Sequence, residues 1–123
     1  MNSSRTLALA GILLALATAC GAFGAHALKS QLAPDRLQVW ETAVRYHFFQ
    51  SLGLLAVGLA LRGLDNGALR AAAALVALGI VLFCGSLYAL SFGGPRLLGM
   101  ITPLGGLAWI VGWLCFAWGA LRT

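Results

Sequence analysis

Three stretches of the chain carry no charged side chain: Thr6 to Ala25 (20 residues), Ala71 to Phe92 (22) and Leu97 to Leu121 (25). About 20 apolar residues in helical form cross the hydrocarbon of a bilayer. Because lipid cannot hydrogen-bond a peptide group, a spanning segment must satisfy its own backbone, so each stretch predicts a transmembrane helix. A fourth is less obvious, since Tyr46 to Leu61 offers only 16 uncharged residues and includes His47, Gln50 and Ser51. Its upstream neighbour supplies the missing length. Pro34 and Asp35 start a helix, after which Leu37, Trp40, Val44 and Phe48 recur at helical spacing while Gln38, Glu41, Thr42 and Arg45 take the opposite arc. One helix is expected from Asp35 to Leu61, amphipathic at first and lipid-embedded afterwards, with a break near Arg45 as the competing geometry.

Composition agrees. Only 9% of the residues are charged and mean hydropathy is +0.93, which excludes disorder, coiled coil and nucleic-acid-binding arms. The net charge of +5 would fit a nucleic-acid partner only if the basic residues were clustered. They are scattered as Arg5, Lys29, Arg36, Arg45, Arg62, Arg70, Arg96 and Arg122, beside apolar runs where they meet lipid phosphates. Cys20, Cys84 and Cys115 form an odd set without metal-ligand spacing and read as small buried hydrophobes. Ala17-Thr18-Ala19-Cys20 loosely resembles a lipoprotein cleavage site. The apolar run continues past it to Leu28, however, and Ala17 stands where such sites favour a larger aliphatic, so this segment reads as a span.

Turn formers at Gly63, Asn66 and Gly67, and at Gly93-Gly94-Pro95, join successive spans closely enough to make neighbours antiparallel. The expected fold is thus an all-α integral membrane antiparallel four-helix bundle. Residues 1–123 form one membrane domain, with spans at about 6–27, 35–61, 71–92 and 97–121. Both termini share one side. Lys and Arg divide evenly between the two sides, and the carboxylates Asp35 and Glu41, beside Arg36 and Arg45, tip the expectation toward cytoplasmic termini.

Without a hydrophobic force between helices in lipid, association needs small residues at contacts. Gly11, Ala15, Thr18, Ala19 and Ala22 fall on one face of the first span, and His26 follows that face. The third span carries Ala71 to Ala74, Ala77, Gly79, Gly85 and Ser86, and the fourth Gly99, Thr102, Gly106 and Gly112. Trp109 and Trp113 read as packing residues and Trp118 as an interfacial one. Thr102-Pro103 is either an N-cap and first helical residue or a kink within a longer span.

The few polar side chains gather at one end of the bundle. His26 closes the first span, Glu41, Thr42, Arg45, Tyr46 and His47 open the second, Ser86 and Tyr88 close the third and Thr102 opens the fourth. Polar groups at membrane depth are costly and point inward or toward water, so this end is the candidate site. His26 facing inward would bond a carbonyl or Tyr88, and Glu41 and Arg45 form an i, i+4 pair in the favoured orientation.

The segments Gly21-Ala-Phe-Gly-Ala-His26, Trp40-Glu-Thr-Ala-Val-Arg-Tyr46-His47, Phe83-Cys-Gly-Ser-Leu-Tyr88 and Ile101-Thr-Pro-Leu-Gly-Gly106 together resemble the small membrane-protein family catalogued as domain of unknown function 423. That family has bacterial inner-membrane members and a eukaryotic transmembrane relative. It usually carries serine where this chain has Cys84. The resemblance implies a multi-pass protein of the bacterial inner membrane with an undefined biochemical role, and it supplies no catalytic residues.

The leading functional expectation is a non-enzymatic membrane protein that binds a partner subunit, a second copy or a lipid-like molecule. A small transporter is the second class, with Glu41 and His26 as poor coupling groups. A haem-bearing electron carrier using His26 and His47 is the third. An enzyme has the least support, since no nucleophile–base–acid set, metal motif or phosphate loop appears, although Glu41, Tyr46 and His47 would form a set if they shared a cavity. No motif calls for a cofactor.

Overall fold

The computed structural model describes residues 1–122. Four helices account for nearly all of them: α1 (Ser3–His26), α2 (Pro34–Gly63), α3 (Gly67–Ser91) and α4 (Leu98–Leu121). Asn2 starts α1 by accepting from the Arg5 amide at 2.8 Å. After His26 a short 3₁₀ turn, Leu28–Ser30, tucks Leu28 fully out of solvent. Pro34 then opens α2 from an extended Ala33, as expected where proline occupies the first helical position. The helix runs unbroken past Arg45 to Gly63, about 45 Å at 1.5 Å per residue.

Asn66 fastens the opposite end of the bundle. Its Oδ1 accepts from the Leu69 amide at 3.0 Å and caps α3, while its Nδ2 donates to the Gly119 carbonyl of α4, also at 3.0 Å. Asn66→Ala removes both bonds and is expected to lower stability by about 1–2 kcal/mol. Asn66→Asp, which keeps the cap, should lose less than half of that in thermal unfolding of the detergent-solubilised protein.

Inside α3 one π-helical turn, Ile80–Cys84, widens the helix. At its C-terminal end Gly93 takes φ +84°, and Gly93 and Gly94 amides donate to Leu90 and Ala89 carbonyls at 3.0 Å, a glycine-dependent stop. Pro103 lies inside α4, so Thr102-Pro103 belongs to a longer span. Pro103 has no amide N–H to give the Gly99 carbonyl four residues earlier.

Close packing runs α1 on α2, α2 on α3 and α3 on α4. The core joins Ala10, Leu54, Val57, Leu61, Leu69, Ala72, Ala73, Val76, Ile80 and Trp109. In the most apolar window of each helix only 22% to 33% of residues are buried, so the remaining apolar surface, including Ile12, Phe49, Leu59, Val81, Ile110 and Leu114, must face lipid. This is an all-α membrane four-helix bundle.

The first span is rotated relative to the expectation from its small residues. Gly11, Ala15, Thr18, Ala19 and Ala22 are exposed, as is His26 at the helix end, whereas Thr6, Ala10, Ala17 and Gly24 are buried. The buried set includes a seven-residue repeat, Ala10, Ala17 and Gly24, the spacing that keeps one seam on a neighbour crossing at a shallow angle. The reason is local. A Cβ at Gly24 would fall 2.6 Å from Trp40 Nε1, while one at Gly11 would meet nothing within 4 Å.

Candidate functional site

The polar end resolves into three separate arrangements. The deepest joins α1, α2 and α3. His47, 4% exposed, lies 2.8 Å through Nδ1 from the Tyr88 hydroxyl, and Tyr88 also faces the Cys20 side chain. His47 Nε2 and the buried Ser51 Oγ, one turn further along α2, have no hydrogen-bond partner among the described residues. Above this layer Trp40 donates through Nε1 to the Cys20 carbonyl at 2.9 Å. Its ring packs against Tyr88 at 4.5 Å, Phe92 at 5.7 Å and Phe23 at 6.0 Å between centroids. Trp40 thereby locks three helices together.

The second arrangement lies between α3 and α4. Ser86 and Thr102 share a short hydrogen bond, and Ser86 also donates to the Phe83 carbonyl at 2.9 Å. Nearby, Tyr46 stacks on Trp109 with 5.9 Å between centroids and 19° between planes. Trp109 itself donates to the Val76 carbonyl at 3.1 Å.

The third is an open groove between α1 and α2. It encloses about 200 Å³ and is lined by Gly21, Gly24 and Ala25 from α1 and Trp40, Glu41, Val44 and Arg45 from α2. The glycines lower one wall, Trp40 and Val44 form an apolar floor, and the two charged side chains stand at the rim. The expected Glu41–Arg45 ion pair is not formed. Among the described residues the one ion pair is Asp65–Arg70, 3.5 Å apart at the opposite end of the bundle. The length of α2 sets the depth of this groove. Were Gly63 at one boundary of hydrocarbon about 30 Å thick, the other boundary would fall near Ala43, between Glu41 and Arg45.

Seven of the nine residues expected at this end fall in these three places, and Thr42 and His26 do not. Thr42 donates to the Gln38 carbonyl at 2.9 Å within its own helix. His26 is exposed and joins none of the three sets, so the partner expected for it, Tyr88, belongs to His47 instead. Gly24 faces Trp40, and Gly21 faces Val44 and Phe48, so His47 lies below the Trp40 layer while His26 stands above it. His47 is buried against Tyr88 and His26 is exposed, so this structure does not bring the two imidazoles together. Among the described residues no three His, Cys, Asp or Glu side chains gather to hold a metal. The residues that sequence reasoning passed over are Gly21, Gly24, Trp40 and Val44, all groove-forming, together with Cys20 and Ser51. Two of the recognised motifs, the glycine segment before His26 and the segment beginning at Trp40, supply the entire groove lining, which was the available signal.

Four apolar helices whose outer surfaces require lipid define a multi-pass membrane protein. The chain belongs to the family described as "Protein of unknown function (DUF423)", whose profile matches residues 20–106. It is similar to the UPF0382 membrane protein YwdK of Bacillus subtilis, 44% identical over 87% of this chain and 88% of that protein. A UPF0382 membrane protein of Staphylococcus saprophyticus is 42% identical over 87% of this chain and 88% of its own length. The UPF0382 inner membrane protein YgdD of Escherichia coli is 34% identical over 99% of this chain and 93% of that protein. No solved structure matches the chain.

Proposed function

We propose that this is a non-enzymatic inner-membrane protein that holds a lipid at its polar end, in the α1–α2 groove, with both termini cytoplasmic. The observation that carries the reading is the groove itself: glycine-lowered walls and an apolar floor at headgroup depth, with two charged side chains at the rim that do not pair with each other. Such a cleft matches an amphiphile lying along a helix better than a soluble substrate. The name of the Escherichia coli relative supports the inner membrane, and the two carboxylates at the polar end support the orientation. Transport finds less support, because beyond Ser51 the layer is filled by Ala10, Leu54, Val57 and Leu61, all buried, and the next buried hydroxyl, Thr6, is spent on the Asn2 carbonyl.

The test uses the full chain purified in mild detergent and examined by native mass spectrometry. One phospholipid per protein is expected to be retained. Ala25→Leu, which fills the groove from an exposed position, should cut retention at least five-fold while leaving the melting temperature within a few degrees. Lipid-free wild-type protein with an intact fold, or equal retention by Ala25→Leu, would overturn the reading. So would a stoichiometric protein subunit protecting the groove.

A further inference from the structure

We infer that the α1–α2 groove selects a phospholipid whose headgroup carries both a phosphate and an ammonium, with Arg45 on the phosphate and Glu41 on the ammonium. This rests on the lipid-binding reading above and adds the headgroup class. The starting point is a pair that ought to close and does not. Glutamate four residues before arginine on a helix is the favoured order for an ion pair, yet Glu41 and Arg45 make none, and both side chains line the same groove. Each is exposed, so neither is committed to the fold.

Position along the membrane normal then fixes which charge meets which group. The α2 helix enters the bilayer from Pro34, so Arg45 sits about 6 Å deeper than Glu41, one turn nearer the hydrocarbon. In a phospholipid the phosphate is attached to the glycerol and an amino group, where present, ends the headgroup on a short carbon bridge, so a headgroup extended along α2 places the two charges a comparable distance apart. The site and the headgroup therefore present opposite charges in the same order. A guanidinium is well suited to the inner position, because it binds phosphate oxygens through two parallel N–H donors and is weakly hydrated. An anionic lipid with a glycerol headgroup would satisfy Arg45 and leave Glu41 without a cation. The surface below suits the glycerol and the first acyl carbons. Trp40 has its only N–H on the Cys20 carbonyl and offers carbon surface, and Val44 continues it toward the hydrocarbon.

The experiment places the full-length protein in nanodiscs containing phosphatidylethanolamine and phosphatidylglycerol in known ratio, then counts the lipid that stays bound on release into the mass spectrometer. Wild-type protein is expected to enrich the ethanolamine lipid at least five-fold over the bulk ratio. Glu41→Gln should still hold one phospholipid but at the bulk ratio. Arg45→Gln should lose most of either lipid, and the exchanged pair E41R/R45E, with the same net charge in reversed order, should not recover the enrichment. Circular dichroism should be unchanged for all three, since both side chains are exposed. Bound lipid at the bulk ratio in wild-type protein, or undiminished enrichment in Glu41→Gln, overturns the headgroup assignment while leaving lipid binding intact. Wild-type protein that holds no lipid at all overturns the parent reading. Tight binding of free O-phosphoethanolamine in detergent, without any bilayer lipid, would overturn the lipid as source and point to a soluble ligand of the same charge pattern.

Discussion

Replacing Gly105 by alanine, one added methyl group, is expected to destabilise the protein by about 2–3 kcal/mol, and by valine substantially more. A Cβ there would lie 2.5 Å from the Phe83 amide nitrogen and 2.9 Å from its Cα. These are backbone atoms, so no rotamer change relieves the contact and α3 and α4 must move apart. Separation would also disturb Gly79, whose missing Cβ makes room for the Trp109 ring, and the Trp109 bond to the Val76 carbonyl. The adjacent Gly106 has nothing within 4 Å of its would-be Cβ, and Gly106→Ala should change stability by no more than about 0.5 kcal/mol. Unfolding of both variants in the same detergent by denaturant or heat checks the contrast. Equal melting temperatures would mean that the α3–α4 seam does not run through Gly105.

That contrast also shows which part of the fold was legible in the sequence. Four helices and their antiparallel order follow from run length, charge placement and turn residues, because the bilayer imposes those on any chain it accepts. Which face of each helix turns inward does not follow in the same way. In a soluble helix an apolar stripe marks the core, but here apolar and small residues occur on every face and lipid accepts them all. Gly11, Ala15 and Ala22 on α1, and Gly99 and Gly106 on α4, are as small as any contact residue and yet line no neighbour. The buried positions are instead Ala10, Ala17 and Gly24 on α1 and Gly105, Gly112 and Gly119 on α4, each set repeating every seven residues. The seven-residue repeat was the discriminating signal. The π-helical turn at Ile80–Cys84 has no local signature at all.

The candidate site was legible to a similar degree. Topology alone brings the polar residues to one end, but partner choice depends on helix rotation. Once α1 turns Gly24 inward, His26 two residues later faces away, and Tyr88 pairs with His47 across the α2–α3 contact. Glu41 and Arg45 were recognisable as a pair, and their failure to close depends on the groove beside them. Trp40 was legible only as one apolar position among Leu37, Val44 and Phe48, since its role needs the Cys20 carbonyl opposite.

Trp40→Ala is accordingly expected to cost about 3–5 kcal/mol and to abolish lipid retention together with it. The substitution empties a site 6% exposed, where one ring meets Phe23, Tyr88 and Phe92. It also removes the donor to the Cys20 carbonyl and leaves Gly24 facing a void. Trp40→Phe separates these effects. It keeps an aromatic ring in the cluster and loses the N–H bond, for a cost of about 0.5–1.5 kcal/mol plus a partial cavity. If the groove depends on α1 being held against α2, Trp40→Phe protein should stay folded at room temperature yet retain less lipid than wild type, in proportion to its loss of stability. Lipid retention unchanged in Trp40→Phe, alongside a clear drop in melting temperature, would mean that the rim charges alone define the site and that the tryptophan serves only the fold.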